Sequence, residues 1–458
     1  MRKTTFLFVL GTVFSLSSTL VSCGGDDDSS DPIVNPDPIT PQEPPQNEGM
    51  TPLQQKERLD VIAKEFMNLT PASDFKNIAN LYNYISDTYT DNYDWDTVGD
   101  WAGDIFDSLR EQVGNPVVEK DGGYSFVATN YKTILLASNF TSHFTASNGK
   151  WTRQDANDLQ FIFKDQNSKE CVLKLETSGN VKKVHLFNLE DWDWEWDGNS
   201  YTEYLDRTQM IIGVPENIVV TLTQGGSQVV KVTVKVNLAS IDNEEFDLSK
   251  SSVTASTLVE INNGYKINVS QVAYKANSGA AVTFEMSKNG TSLASVAFSS
   301  SLSGIPSAII SDIDDIDFDN ANMKNAYVKL DILGKLQIQG KLSDVRKYVD
   351  YLESANDNED NEKNFKSYIT QANSLLDLNL FYDGKAVKQA SVKFEPFAGE
   401  SWGGYQYWDA EPVLYFYDGS SYSTFEAFFN DKDFKSVIDT FKGLADKYAT
   451  LINERIDW

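Results

Sequence analysis

The chain is short of the residues that carry most side-chain chemistry. Its 458 residues include two cysteines, Cys23 and Cys171, and two histidines, His143 and His185. Zinc sites and cysteine–histidine or serine–histidine catalysis therefore have little to draw on. Positive charge is also scarce: 39 Lys and Arg against 67 Asp and Glu leave a formal net charge of −28. A field of that sign repels phosphate backbones, which excludes nucleic acid as a partner. It repels anionic lipid headgroups as well, so membrane attachment must come from something other than surface charge. Long apolar runs are missing too. The best of them, Thr4 to Leu16 behind Arg2 and Lys3, is too short to span a bilayer and has the anatomy of an export signal.

The segment immediately behind that leader is specific. Leu20-Val21-Ser22-Cys23 resembles the lipobox of bacterial lipoproteins, and Gly24-Gly25-Asp26-Asp27-Asp28 resembles the acidic signal that sends Bacteroidetes lipoproteins to the outer face of the outer membrane. The resemblance implies cleavage before Cys23, acylation of that cysteine, and a lipid-anchored protein of the outer membrane facing outward. Its partner at that end would be the membrane, through the acyl chains. With Cys23 given to lipid, Cys171 has no partner within the chain. It alternates in phase with Leu173 and Leu175, as a small buried hydrophobe does.

Residues 1–22 are thus expected as signal peptide and 23–50 as a lipidated tether. The tether is rich in Asp, Pro, Ser, Asn and Glu, which cannot bury a core. As a flexible coil it reaches roughly 25–30 Å. From 51 to 120 the apolar period is helical: Leu59, Ile62, Phe66 and Leu69; then Ile78, Leu81, Tyr82 and Ile85; then Val98, Trp101, Ile105 and Leu109. From 121 to 458 the period is mostly two. Val230, Val232, Val234, Val236 and Leu238 alternate with polar residues, as do Leu330, Ile332, Leu336 and Ile338. Turn dipeptides punctuate the runs at Asn148-Gly149, Gly225-Gly226, Asn263-Gly264, Asn289-Gly290, Asp383-Gly384 and Asp418-Gly419. A helix pair is expected over 345–376, a last helix on the stripe Phe434, Val437, Phe441, Leu444, Tyr448 and Leu451, and a division of the body near 305–325. The fold expected is α+β: an N-terminal helical layer, then a large antiparallel, meander-like sheet with helices packed on it. The body resembles the large α+β lipoproteins of Bacteroidetes, a likeness that supplies no catalytic residues.

Two aromatic clusters stand out. In Asp191-Trp192-Asp193-Trp194-Glu195-Trp196-Asp197 an extended backbone puts three indoles on one face and the acids on the other. Indoles stack on the apolar faces of sugars, and carboxylates accept hydrogen bonds from hydroxyls. Trp402, Tyr405, Tyr407 and Trp408 form the second cluster, opened by Gly403 and Gly404. The bland alternative is that these rings fill the gap between helices and sheet. Asp315, Asp317 and Asp319 match the first three ligand positions of an EF-hand, but Asn320 replaces its glycine and Ala326 its bidentate glutamate. Calcium is the only cofactor with even a partial motif. Asp96-Thr97-Val98 and Asp107-Ser108-Leu109 resemble the O-glycosylation acceptor of Bacteroidetes, although Asp96 and Thr97 also suit a helix start. The function expected is binding of an extracellular ligand, foremost a polysaccharide, without catalysis. The alternatives are a carrier of lipid or another hydrophobic ligand in a curved-sheet groove, and a carboxylate-dependent glycoside hydrolase.

Overall fold

The computed structural model describes residues 49–121, 124–196, 201–310, 322–402, 405–418 and 422–428, with a few isolated positions beyond. Cys23 with the leader and most of the tether, the Asp312–Asn320 segment and the expected last helix lie outside the described residues. Three helices come first: α1 (Pro52–Leu69), α2 (Lys76–Ile85) and α3 (Asp96–Leu109). Helix α1 starts where Thr51-Pro52-Leu53-Gln54 permits a capping box. The Thr51 hydroxyl accepts from the Gln54 N–H at 3.3 Å, the Gln54 side chain accepts from the Thr51 N–H at 2.9 Å, and Pro52 occupies the first turn.

A 19-stranded sheet comes after the helices. Its early strands are β1 (Arg110–Gln112), β2 (Val117–Asp121), β3 (Tyr124–Leu136), β4 (Ser142–Ser147), β5 (Lys150–Gln154) and β6 (Leu159–Lys164). Two long strands, β7 (Glu170–Trp196) and β8 (Tyr201–Gln224), come next. The series continues as β9 (Ser227–Ala239), β10 (Ser252–Ile261), β11 (Tyr265–Lys275), β12 (Gly279–Lys288) and β13 (Thr291–Ser303). After β14 (Asn322–Ile332) and β15 (Leu336–Asp344) the helix pair α4 (Val345–Asn356) and α5 (Glu362–Leu375) interrupts it. Then come β16 (Leu376–Tyr382), β17 (Ala390–Trp402), β18 (Tyr405–Phe416) and β19 (Tyr422–Thr424). From β7 to β19 each strand pairs antiparallel with its successor. The fold is α+β, with a helical layer ahead of a large, mostly antiparallel meander that carries helices on it.

Several hairpins use the expected turns. Asn148-Gly149, Gly225-Gly226 and Asn289-Gly290 have positive φ at both residues and directly join paired strands, the arrangement whose twist suits a tight hairpin. Two pairings depart from the meander: β3 with β8 and β4 with β6 are parallel. The alternation in β9 also shifts. A bulge opposite Leu222/Thr223 leaves Val230 half-buried and buries Val229 under the helices instead. On α2, Leu81 and Ile85 are buried, whereas Tyr82 turns to solvent at 57 % exposure.

Helices α2 and α3 close one aromatic core over β4–β7. There Trp151 lies within 5.1–6.0 Å, ring to ring, of Tyr89, Tyr93, Trp95 and Phe161. Cys171 is fully buried in the same core. A second core, built on Val184, Val214, Val232–Leu238 and Val253, lies under Phe246 and Leu248.

Helix α1 runs along the row of hairpin turns at one end of the meander. Near its start, the buried Gln55 donates to the carbonyls of Met50 and Gln389 at 3.1 and 2.9 Å and accepts from the Tyr382 hydroxyl at 3.4 Å. Arg58 pairs with Asp383, and Glu65 meets Lys335 at 2.5 Å. Ile62 is buried against Leu336 and Tyr382. Past its end, Tyr265 donates to the Leu69 carbonyl at 3.0 Å and Lys288 meets Asp74 at 2.5 Å. From Gln55 to Leu69, whose carbonyl accepts from Lys288 of β12, α1 rises about 21 Å, which matches the roughly 20 Å from β16 to β12 at the usual strand spacing. The chain therefore enters the fold at this end, where the Gly49 N–H donates to the Tyr417 carbonyl at 3.2 Å.

Candidate functional site

The β7–β8 hairpin extends far beyond the strands that flank it. At its base β6 covers Glu170–Leu175 of β7, and past Leu175 that edge has no strand partner among the described residues. On β8 the neighbour changes: β9 pairs with Asn217–Gln224 and β3 with Glu203–Gly213. Pro215, which has no N–H to give a ladder, stands at the changeover. Opposite it, β7 bulges between Ser178 and Val181 through Gly179 at φ +87°, where an added Cβ would sit 2.5 Å from a Glu216 oxygen. A second bulge lies between His185 and Phe187. Bulges re-aim a strand, and here they launch a four-stranded arm, β2-β3-β8-β7. From Gly213 to Tyr201 the arm extends about 40 Å at the usual strand rise. Its tip lies at the end of β8 opposite the Gly225-Gly226 turn, hence opposite the turn row that α1 straps.

The base of the arm is buttressed. His185 is buried, its Nδ1 3.0 Å from Glu245 Oε1 and its Nε2 3.0 Å from Asn188 Oδ1. Its backbone N–H donates to the Glu244 carbonyl at 2.7 Å, while Lys132 reaches the Glu244 carboxylate at 2.5 Å. This histidine is a packing residue. So is His143, which meets Asp158 at 2.6 Å.

Register decides which side chains share a face of the arm. Trp196 pairs with Tyr201, Trp194 with Glu203, and Trp192 with Leu205. Phe126 faces Glu203 from β3, and Glu119 faces Phe126 from β2. One face thus carries Trp192, Trp194 and Trp196, exposed at 53, 64 and 51 %, with Tyr201 at 64 % and Tyr124 at 73 %. Rings touch along it: Trp196 to Tyr201 at 4.5 Å, Trp194 to Tyr201 at 5.2 Å, and Trp192 edge-on to Phe126 at 5.0 Å. Phe126, Ala128 and Leu205 form its buried floor. The base of the face is closed by Arg207, which donates to both oxygens of Glu119 at 2.9 and 3.0 Å and to Glu190 at 3.4 Å. These carboxylates hold the guanidinium pKa above its ordinary value. Asp191, Asp193 and Glu195 take the opposite face, where the Tyr204 hydroxyl donates to Glu195 at 3.3 Å.

The second aromatic cluster is built differently. Trp402 and Tyr405 pair at the end of β17–β18, and their side chains lie outside the described structure. Tyr407 is half-buried. Trp408 packs with Phe365 and Ile369 of α5, its ring 4.2 Å from the Lys366 ammonium and its backbone N–H donating to the Glu359 carbonyl at 2.7 Å. It fills a gap between helix and sheet rather than forming an open platform. Strands β9 to β16, each paired with the next, separate the two clusters. The structure therefore brings Trp192, Trp194 and Trp196 into one surface but joins none of the second cluster to it.

Gly399-Glu400-Ser401-Trp402-Gly403 has the spelling of a nucleophile elbow, Gly-x-Ser-x-Gly. Ser401, however, lies in antiparallel β17 opposite Gln406, to which its hydroxyl hydrogen-bonds at 2.9 Å. The strand-to-helix turn that the motif requires is not there. Among the described residues no group of three or more His, Cys, Asp or Glu is placed to hold a metal ion. Ala326, at the twelfth position of the EF-hand-like segment, sits in β14 opposite Leu342. Thr97 and Ser108 are both exposed on α3. Ser108 borders a cleft that also includes Trp101, Asp104, Arg153 and Asp155.

Neither protein-family models, nor curated proteins, nor solved structures show a match to this chain. The site must be read from its own geometry. Sequence periodicity does not single out Tyr124, Tyr201 or Glu203. The signal for Tyr201 is the Asp197-Gly198 dipeptide, a composition that favours a tight turn; register pairs Tyr201 with Trp196.

Proposed function

We propose that this protein is a lipid-anchored surface lipoprotein of the outer membrane that binds extracellular glycan, without catalysis, through the aromatic face of the β7–β8 arm. The observation that carries the reading is the row Trp192, Trp194, Trp196 and Tyr201, each at least half exposed on one face. Large aromatics are normally buried, and a contiguous exposed group of them marks a binding surface. Same-face residues on a strand recur about every 6.6 Å, so three indoles make a straight platform roughly 13 Å long, suited to stacking successive sugar rings. The layout of the fold also supports the reading. The chain enters at the α1-strapped end, so a tether leading to Cys23 would leave the arm at the far end from the membrane.

The test is retention of the full-length protein in gels containing polysaccharides. Migration should slow in at least one gel. The triple variant Trp192→Ala/Trp194→Ala/Trp196→Ala should migrate freely there while keeping its circular dichroism spectrum. Unchanged retention of the triple variant, or no retention of the parent in any gel, would refute the proposal.

A further inference from the structure

The charge around the aromatic face is one-sided. On that face Glu203 lies directly across from Trp194, Glu119 and Glu190 flank the base, and Asp121 stands beside Tyr124 on the neighbouring strand. The cation among them, Arg207, is spent on Glu119 and Glu190. Lys120 alternates to the other side of β2, where Asp191, Asp193 and Glu195 stand on β7. By strand spacing, a ligand lying along the indoles is within a Debye length, about 8 Å at physiological salt, of Glu203 beside Trp194 and of Glu190 two residues from Trp192, and no uncommitted cation shares that face among the described residues. Glu190, Asp191, Asp193 and Glu195, on β7 itself, discourage another strand, or a second copy of this chain, from adding to its open edge.

We infer that the arm takes a linear glycan bearing free, protonated amines, in preference to neutral chains and against uronic or sulfated ones. The inference rests on the glycan reading above and adds the charge class of the ligand. Two contacts of different kinds would recognise such a chain. A protonated amine lying over an indole is drawn to the ring face. Glu203, exposed between Trp194 and the Phe126 floor, is placed to accept from an amine on the sugar stacked there. A uronate or sulfate in the same position would meet Glu203 and Glu190 as like charge, with no hydrogen bond in return. The straight row of rings suits a ribbon-like chain rather than a branched or coiled one.

The experiment is calorimetric titration of the full-length protein with three β-1,4-linked hexamers of the same backbone, made of glucosamine, glucose and glucuronic acid. Measurements are made at pH about 5.5, on the acid side of the sugar amines, and at about 0.05 M and 0.5 M sodium chloride. At low salt the glucosamine hexamer should bind at least about tenfold more tightly than the glucuronic one, with glucose between, and the spread should shrink at high salt. Glu203→Gln, on an exposed position, should narrow the glucosamine-over-glucose ratio. Equal or tighter binding of the glucuronic hexamer, or a ratio indifferent to Glu203→Gln, overturns the inference. If no hexamer binds while the Trp-dependent gel retention holds, the inference falls and the glycan reading stands. If that retention is also absent, both fall.

Discussion

Two tryptophans of this chain should respond oppositely to the same substitution. Trp151 is 1 % exposed and surrounded by four aromatic rings. Trp151→Ala removes a fully buried indole and leaves a gap among Tyr89, Tyr93 and Trp95 of the α2–α3 connection and Phe161 of β6. The cost should be about 3–5 kcal/mol, as for other large-to-small changes of this kind. Trp194 is 64 % exposed. It buries about a third of the 150–250 Å² that a fully packed aromatic hides, roughly 50–80 Å², worth about 1–2 kcal/mol at 25 cal/mol per Å². Urea unfolding followed by far-UV circular dichroism should therefore separate the variants by about 2–3 kcal/mol. Trp151→Phe should recover most of the loss. The ring remains, and the indole N–H it deletes is buried with no hydrogen-bond partner. The reasoning fails if Trp194→Ala is as destabilised as Trp151→Ala, since the arm would then be part of the core and not a platform.

Acid stability should report on Asp158. Hydrogen bonds from Gln160, His143 and Lys174 pull its pKa down to about 2. Its contribution is present above the ordinary carboxylate value near 3.8 and is lost as pH falls toward 2. Asp158→Asn should flatten the loss of stability between pH about 4 and 2, and an unchanged acid limb would count against it. Cys171 should be inert: burial pushes its thiol pKa up to about 11, so in a Cys23→Ala background the native protein should not react with Ellman's reagent at pH 8 and should release one equivalent in denaturant. Rapid labelling of the native protein would contradict that burial.

Much of the fold was legible locally because its causes are local. Thr51-Pro52-Leu53-Gln54 contains the capping box of α1, and Asn-Gly and Gly-Gly dipeptides contain the positive φ angles of three hairpins. A strict period of two, as in Val232 to Leu238, is enough to say which face of a strand is buried. The row of Trp192, Trp194 and Trp196 comes from the same period, since alternate residues of any extended strand share a face. Alternation cannot reveal a residue count that slips. The bulge opposite Leu222/Thr223 moved burial from Val230 to Val229, and no local pattern announced it.

Whether the indoles are wet was a question for tertiary structure alone. Trp151 and Trp194 are the same residue type in similar strand-like contexts, and Trp408 sits in a cluster as rich in aromatics and glycine as any in the chain. Their surroundings differ because of contacts distant in sequence: α2 and α3 cover β4–β6, α5 covers Trp408, and Trp192, Trp194 and Trp196 stay at least half exposed on a stretch of β7 that β6 does not reach. The parallel pairing of β3 with β8 supplied Phe126 as a floor and set Glu203 among the rings, a partnership between segments some 77 positions apart. The strap of α1 across turns 196 to 334 residues downstream likewise put the chain's entry and the arm at opposite ends. Sequence by itself determined the helical and strand-like segments of the described body, most of their buried faces and the acidic character of the chain, because those depend on neighbours along the backbone. Exposure of the aromatic row, its floor and its distance from the entry point depend on which distant segments pack together, and only the tertiary structure decided them.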